Sequence, residues 1–588
     1  MNDNQNTVDI YGDNINVYSH FGKQRPTLET QDKVAIFMLK TNRSYKYGKL
    51  IVYILAILSI VIIVDGLSIY QGQDIDYDLF NYHYVNGYLF IHGLLIKDSL
   101  GTLQSYLDPI LNSLYYILIR NISPMLENVA IASIQATAII GLLFTAMEAL
   151  SEIKLIPSVT ISMMLCTCAI IGPDFFSEIG TAMSDTLLSA LIIFSLFLLI
   201  RTFRKNSSNM SPLSIVLSGI LIGIASGLKF TNMVFCIGVI SSYLVILIFH
   251  IEISNREKLY SFLLLSVSCF TAFTLTYFPV GLILYRAYGN PIFPYYNSIF
   301  RSSYMLPISW HDTRWFPHTL ISYLTSPFKF CTKHNRISSS LMEIPFRTLF
   351  FAISEALLPF YIIKRILTHK QHGKYTATVD FIVLFFVISF IVWEIFFSYY
   401  RYISALEIIS PLVVFIMVSS IFELKRLRYN FALVALLFII AAYSIPDANW
   451  GRIPFANSNY FGVSTSEFAK YHNSLIIIGY GNPNLPIGYV LSYFPISDRF
   501  IGIPGDIPGL TNRWIRRNRI VISTWSNRKI FWVDTWINGA KKRNFKIIKE
   551  HSERLDKEYG ISIDIKSCQI YDARINKIVV CKVDDTDQ

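Results

Sequence analysis

Long apolar runs recur along this chain of 588 residues and constrain its fold more than any other feature. A helix of about 20 apolar residues is long enough to cross a hydrocarbon core about 30 Å thick. Hydrophobic residues make up 53% of the sequence and charged residues only 15%, a balance typical of polytopic membrane proteins. The sequence therefore predicts an α-helical, multi-pass membrane protein.

Eleven runs are apolar enough to be candidate membrane spans. They cover residues 50–70, 129–150, 155–172, 183–203, 213–230, 233–249, 259–284, 344–363, 379–397, 403–422 and 431–443. Basic residues concentrate in alternate loops, beginning with Arg43, Lys46 and Lys49 before the first run. Because Lys and Arg mark the cytoplasmic side, the N-terminus is predicted to be cytoplasmic and the region after Asp447 external.

The pattern divides the chain into three parts. Residues 1–49 are predicted to be a polar cytoplasmic tail, 50–447 a membrane domain and 448–588 an external domain. Within the membrane domain, loops 71–128 and 285–343 are predicted to be external, and residues 82–96 to form a helix on the outer membrane surface.

The external part is predicted to be a small α/β domain. It contains strand-like runs at 474–480, 519–524 and 529–533, a helical stretch at 539–560 and a hairpin at 561–582. Cys568 and Cys581 flank the hairpin turn. An exported location favours a disulfide between them, and two reduced thiols are the alternative.

The most unusual polar stretch follows the first apolar run directly. Asp74, Asp76 and Asp78 alternate there, with Tyr82 and His83 shortly after. If the stretch is extended, the three carboxylates share one face. If it is helical, Asp74 pairs with Asp78 and Asp76 turns away. A solvated loop is the alternative, but grouped carboxylates at a membrane exit are costly unless they bind or react with something.

Further charged residues lie at the predicted external ends of spans. Lys229 and Arg401 are placed to bind phosphate, or to act as anchors that reach the membrane interface. Glu178 and Asp185, around the second external loop, supply two more carboxylates. Glu394 lies seven residues before Arg401, about two helical turns, so an ion pair between them is a further prediction.

The long loop 285–343 mixes aromatic and cationic residues. Arg301, His311 and Arg314 lie close in sequence to Trp310 and Trp315. This mixture suits a sugar or phosphate pocket. It equally suits an aromatic belt at the membrane interface.

The layout resembles the family C (GT-C fold) membrane glycosyltransferases: one span, an external loop with an Asp cluster, many spans and an external C-terminal domain. The segments that carry the resemblance are residues 76–83 (DYDLFNYH), 227–232 (GLKFTN), 289–297 (GNPIFPYYN) and 400–402 (YRY). Members often carry an Asp-Glu or Asp-x-Asp element in this loop. Asp76-Tyr77-Asp78 fits the spaced form, and an Asp-Glu pair is absent.

The resemblance implies a glycosyltransferase at the outer face of a bacterial cytoplasmic (inner) membrane. Its donor would be a polyprenyl-phosphate-linked sugar in the lipid bilayer, and its acceptor a cell-surface glycan or glycolipid. Asp78 or Asp76 would be the catalytic base, and Asp76 is also a candidate ligand for Mg²⁺ or Mn²⁺. The candidate substrate-binding residues are His83, Tyr82, Lys229, Arg301, Arg314, Arg401, Glu178 and Asp185.

Other function classes fit less well. A transporter or flippase of lipid-linked saccharides would carry polar groups at mid-membrane and internal repeats. Here the polar groups concentrate in external loops. A polymerase of lipid-linked saccharides shares the same chemistry and stays open. The net charge of +11 does not predict nucleic-acid binding, because the basic residues lie mainly in short loops and near the C-terminus.

The alternating basic loops predict that the C-terminal region is external. A reporter enzyme that is active only outside the cytoplasm, fused after Asp447, should therefore be active in cells. A matched fusion within residues 1–49 should be inactive. Activity in the reverse pattern would contradict this topology.

Overall fold

The computed structural model describes residues 28–585, with gaps at 99, 101, 205–210, 310–312, 314, 332–347, 369–373, 444–449, 480–486, 504–506, 508, 526–528 and 537–540. Met1–Ser59 and Ile60–Gln588 are two compact units. Most of the predicted polar tail lies outside the described residues. The predicted division at 49 and 447 stays a prediction.

Helices dominate the described chain. In order they are α1 (Leu28–Gln71), α2 (Tyr84–Ile91), α3 (Ile110–Asn121), α4 (Pro124–Ala149), α5 (Leu155–Ile170), α6 (Pro173–Glu178), α7 (Ser184–Arg204), α8 (Pro212–Leu228), α9 (Met233–Phe249), α10 (Asn255–Tyr288), α11 (Asn297–Phe300), α12 (Leu320–Leu324), α13 (Ser326–Lys329), α14 (Phe350–Leu367), α15 (Lys374–Phe396), α16 (Ser404–Ile421), α17 (Leu427–Tyr443), α18 (Thr465–Phe468), α19 (Asn512–Thr524) and α20 (Lys541–Tyr559).

Short helical turns link several of these helices. Leu79–His83 is a π-helical turn that leads directly into α2. The 3₁₀ turns are Leu103–Tyr106, Phe230–Asn232, Tyr400–Ile403, Ala469–Tyr471 and Gly488–Tyr493.

Seven described helical segments are long and apolar enough to cross a membrane. They are Tyr47–Gln71, Pro124–Ala149, Ser184–Phe203, Phe230–Phe249, Asn255–Tyr288, Thr376–Phe396 and Tyr400–Ile421. Three shorter apolar helices, α5, α8 and α17, accompany them. The protein is therefore a multi-pass, mainly helical membrane protein, as the sequence predicted.

Helices α8 and α10 pack closely, because glycines of α8, which have no side chain, lie at their contact. A Cβ on Gly219 of α8 would lie 1.9 Å from Ser268 Oγ of α10, and one on Gly223 would lie 2.3 Å from the Cys269 carbonyl oxygen. Small residues four apart bring helix backbones together in membranes, where lipid gives no hydrophobic drive for association.

The C-terminal region forms a five-stranded sheet with helices. The chain contains β1 (Gln73–Asp74), β2 (Arg452–Ile453), β3 (Leu475–Gly479), β4 (Arg499–Ile503), β5 (Ile530–Trp536), β6 (Ile561–Asp572) and β7 (Lys577–Asp585). The sheet order is β4-β3-β5-β7-β6. Strand β3 is parallel to β4 and β5, whereas β7 is antiparallel to β5 and β6.

Both faces of this sheet are buried, which explains the continuous apolar run in β3. Leu475 and Ile477 point towards α20, where Ile548 and Leu555 are buried in the same cluster. Residues on the opposite face, such as Ile476, share a core with the π-helical turn and α2. The C-terminal sheet is thus packed directly against the segment that carries the Asp stretch.

The structure corrects three details of the sequence analysis. Residues 519–524 belong to helix α19 rather than to a strand, because the buried residues Trp514, Asn518 and Ile522 recur every four positions. Strand β4 was not predicted. The predicted surface helix 82–96 is shorter, and residues 84–89 of α2 are buried rather than lying on the membrane surface.

The terminal hairpin contains a disulfide between Cys568 of β6 and Cys581 of β7. It closes a loop that includes the turn at residues 573–576. Of the remaining described cysteines, the four in apolar helices are buried, as expected for small hydrophobic side chains.

Candidate functional site

Several segments that begin or end at a membrane span meet in one charged cluster. The Asp stretch follows α1, Asp185 opens α7, Lys229 separates α8 from the next span, and Arg401 begins the span of α16. The side chains from these distant positions are in contact. We call Asp76, Asp78, Asp185, Lys229 and Arg401 the charged cluster.

Arg401 lies at the centre of this cluster. Its Nη1 donates to Asp78 Oδ2 at 2.8 Å, and its Nε lies 3.2 Å from Asp185 Oδ2. The rings of Tyr399, Tyr402 and Trp450 have their centroids 5.6 to 5.7 Å from its guanidinium carbon. Carboxylates and aromatic faces both suit a planar guanidinium, so its position is fixed on several sides.

Asp78 is ionised in this environment. Burial raises the pKa of its carboxyl, but the Arg401 charge and hydrogen bonds from Arg401 and Tyr82 outweigh burial and lower it. The Asp78 side chain is 19% exposed. It is therefore a carboxylate at neutral pH that another molecule can reach.

Asp76 behaves in the opposite way. Its side chain is buried, Oδ1 accepts from the Leu79 amide at 2.8 Å, and Oδ2 accepts no hydrogen bond from the described residues. Burial and the neighbouring Asp74 and Asp78 raise its pKa well above the usual range. Burial thus favours the neutral form of Asp76 more than that of Asp78, and Asp76 Oδ1 starts the helical turn that positions Asp78.

The backbone of the Asp stretch combines the two conformations considered from the sequence. Asp74 is in strand β1, opposite Arg452 of β2, whereas the chain is helical from residue 77 onward. The solvated loop considered as the alternative is not observed at Asp74. The Asp74 side chain is buried. It is 1% exposed, because Oδ1 and Oδ2 accept from the amides of Asp76 and Ala182.

Tyr82 and His83 complete this side of the cluster. Their rings are 4.3 Å apart, and His83 Nδ1 lies 2.7 Å from Asn112 Oδ1. Burial lowers the pKa of His83 to about 4. His83 is therefore neutral at physiological pH and serves as a hydrogen-bonding group rather than a cation.

Lys229 and two further carboxylates lie on the other side of Arg401. Lys229 Nζ is 2.6 Å from Asp185 Oδ1, and its side chain is 20% exposed. Glu178 accepts from the Thr186 amide at 3.3 Å, and burial together with Asp185 raises its pKa to about 8. Lys229 is thus the cation of the cluster that is more open to a bound molecule.

Two described residues from the sequence analysis, Arg301 and Glu394, do not join this cluster. Arg301 is exposed at the end of α11, with a left-handed backbone. Arg314 lies outside the described residues, as do Trp310 and His311. Arg401 pairs with Asp78 and Asp185, not with Glu394, so the predicted Glu394–Arg401 pair is wrong.

Sequence reasoning missed residues that support the cluster from far along the chain. Arg452 donates to the carbonyls of Gly72, Ser177 and Ile179, and the Trp450 indole donates to Ser177 Oγ at 3.0 Å. Arg452 and Trp450 thus fix the backbone at residue 72 and at residues 177–179. Because these two residues lie far from the Asp stretch in sequence, no local sequence pattern predicts these contacts.

Glu407 was also missed, although a carboxylate within an apolar span signals function or a buried partner. It accepts from the amides of Asp174 and Phe175 at 2.9 and 3.1 Å and from the Tyr400 hydroxyl at 2.5 Å. It therefore ties α16 to the first turn of α6, beside Arg401.

The described residues contain no group of three His, Cys, Asp or Glu side chains arranged to hold a metal ion. Asp78 is held by Arg401, which also disfavours a divalent cation between Asp76 and Asp78. The involvement of Asp76 in Mg²⁺ or Mn²⁺ binding stays a prediction, and no chemical step below depends on a metal.

No protein-family model and no curated protein matches the sequence. Among solved structures, the chain is similar to ArnT from Cupriavidus metallidurans bound to undecaprenyl phosphate, with TM-score 0.46, 10% identity and coverage of 90% of this chain and 98% of that one. The apo form of ArnT gives TM-score 0.45, 10% identity and coverage of 92% and 98%. The apo oligosaccharyltransferase of Archaeoglobus fulgidus gives TM-score 0.40, 14% identity and coverage of 82% and 69%.

The central position of Arg401 makes a stability prediction. Replacing Arg401 by Gln leaves buried carboxylates without their cation, which commonly costs about 3–5 kcal/mol. The matched control Lys425→Gln removes a cation that is 86% exposed and should change stability by less than about 0.5 kcal/mol. Chemical unfolding of the full chain in detergent compares the two. Equal stabilities of the two variants would contradict the central role of Arg401.

Proposed function

We propose that this chain is a GT-C-type membrane glycosyltransferase that transfers a sugar from a polyprenyl-phosphate-linked donor to a glycan or glycolipid acceptor at the outer face of the membrane. The observation that carries the proposal is a reachable carboxylate, Asp78, paired with Arg401 at the end of a membrane span. A second cation, Lys229, is joined to Arg401 through Asp185, which contacts both. Such a site suits a donor whose phosphate lies at the membrane surface and whose chain lies in lipid.

Asp78 is the proposed general base. A base must be unprotonated and within reach of the acceptor hydroxyl. Asp78 meets both conditions, because its pKa is lowered and its side chain is 19% exposed. Asp76 meets neither, because it is buried and its pKa is raised.

Lys229 and Arg401 are the proposed phosphate-binding groups. The acceptor oxygen forms a bond to the anomeric carbon of the donor, and the bond from that carbon to the phosphate oxygen breaks. The proton of the acceptor passes to Asp78, and the electron pair leaves with the phosphate. Cations held in place before the reaction stabilise the charge that develops on this leaving group.

Their carboxylate partners keep these cations in place while no substrate is bound. Asp185 contacts both Lys229 and Arg401, so it fixes the distance between the two positive charges. The tyrosine ring of Tyr402 lies 5.2 Å from Lys229 Nζ and limits its movement further. Glu178 and Asp185 are therefore proposed to position these cations.

A transporter or flippase of lipid-linked saccharides is the main alternative. Its polar site would serve two open states, whereas the charged cluster is packed against the C-terminal region by Arg452 and Trp450. A polymerase of lipid-linked saccharides differs only in its acceptor. The proposed location is the bacterial cytoplasmic membrane, with the site facing outward.

The base assignment predicts that Asp78→Asn lowers turnover by about 10²–10⁴, because an amide cannot accept the acceptor's proton. Asp76→Asn should retain clearly more activity, because the buried Asp76 side chain does not reach an acceptor. The control Asp572→Asn makes the same change at a carboxylate that is 84% exposed and should be fully active.

The assay measures release of free polyprenyl phosphate from a polyprenyl-phosphate sugar, beside a melting curve for each variant. Release separates transfer from transport, since a flippase leaves the donor intact. Full release by a correctly folded Asp78→Asn variant would contradict the proposed base.

A further inference from the structure

A cavity of about 380 Å³ lies outside the residues assigned above. It opens between the end of α3, the start of α2 and the C-terminal segment 458–465. Its volume falls within the range of roughly 300–1,000 Å³ that is usual for small-molecule sites.

The outer part of the cavity is polar. Ser458, Asn459, Ser464 and Thr465 are exposed and line it. Hydroxyl and amide groups both donate and accept hydrogen bonds, as the hydroxyl groups of a sugar require.

Arg120 gives the cavity its charge. Among the described lining residues it alone is charged, and its partner there is the neutral phenol of Tyr84. A guanidinium with no lining carboxylate to neutralise it attracts an anion and binds a carboxylate or phosphate in a two-pronged geometry.

The inner part of the cavity is rigid. Tyr84, Tyr460 and Tyr493 are at most 7% exposed, and the Tyr84 and Phe461 rings are 4.7 Å apart. Asn459 holds the loop in a closed turn, because its side chain donates to the Val463 carbonyl at 2.7 Å and accepts from the Gly462 amide at 3.0 Å.

The same loop is attached to the Asp stretch. The Gln73 side chain donates to the Tyr460 carbonyl at 2.9 Å, and the Tyr460 hydroxyl donates to the Asp74 carbonyl at 2.9 Å. Tyr84 follows His83 directly in the chain. Segment 73–84 therefore contributes Asp76 and Asp78 to the charged cluster and Tyr84 to the lining of the cavity.

We infer that this cavity binds an anionic sugar unit, carrying a carboxylate or phosphate, of the acceptor glycan. Arg120 binds the acidic group and the hydroxyls of the rim bind the sugar ring. The inference rests on the proposed function, because a glycan bound here is an acceptor only if the chain is a glycosyltransferase. A longer glycan held here extends along segment 73–84 towards the charged cluster.

The test measures binding by isothermal titration calorimetry on the purified full chain in detergent. The probes are trigalacturonic acid, glucose 6-phosphate and the neutral maltotriose. At least one anionic probe should bind, and maltotriose should bind at least about tenfold more weakly. Arg120→Gln should weaken the anionic probe about tenfold or more, as should Ser458→Phe, which fills the rim and keeps the charge.

The control Arg516→Gln removes an exposed arginine of α19 that does not line the cavity, and it should bind as the unaltered chain does. The inference is overturned if neither anionic probe binds, if maltotriose binds equally well, or if Arg120→Gln and Ser458→Phe both bind normally. Melting curves show whether each variant is folded. If Arg120→Gln or Ser458→Phe is unfolded, probe binding by the other variant is the test.

The assay of polyprenyl phosphate release distinguishes a failure of this inference from a failure of the proposed function. Release that depends on Asp78, without binding of either anionic probe, leaves the glycosyltransferase intact and removes the acceptor cavity. Binding that depends on Arg120, without any release, leaves an anionic sugar site and removes the glycosyltransferase.

Discussion

The contact of Arg401 with Asp78 and Asp185 is the interaction on which the site depends. It joins the segment after the first span to the starts of two later spans, positions more than 300 residues apart in sequence. A buried ion pair contributes little net stability, because desolvation of its charges offsets their attraction. The arrangement is better explained as positioning, since the Arg401 charge lowers the pKa of Asp78 whereas burial raises the pKa of Asp76 two residues away.

The C-terminal region is part of this site and not an appendage to it. Strand β2 pairs with β1, so Arg452 lies opposite Asp74, and Trp450 covers Arg401. The sheet shares its core with the turn that carries Tyr82 and His83. Any movement of the C-terminal region would therefore also move β1 and the carboxylates that follow it. The loop that lines the cavity at residues 458–465 belongs to the same C-terminal region.

The sequence predicted the parts of this structure that local patterns encode. Apolar runs predicted the membrane helices, and the predicted external location of Cys568 and Cys581 favoured the hairpin disulfide that the structure contains. It also singled out Asp78, Lys229, Asp185 and Arg401, because charges at span ends are unusual. The contact of Arg452 with residues 72 and 177–179 could not be predicted, since pairing across 380 residues has no local signature. Residues 519–524 were misassigned because a β-branched run conceals a helical face that only packing reveals.

A structure of the full chain with a bound polyprenyl-phosphate sugar tests the central claim most directly. We predict that a phosphate oxygen lies within about 3.2 Å of Lys229 Nζ or an Arg401 guanidinium nitrogen, the distance of a hydrogen bond. The anomeric carbon of the sugar should then face Asp78, with the polyprenyl chain leaving along the membrane spans. A donor phosphate bound at the opposite membrane boundary, or one that contacts neither cation, would contradict the account.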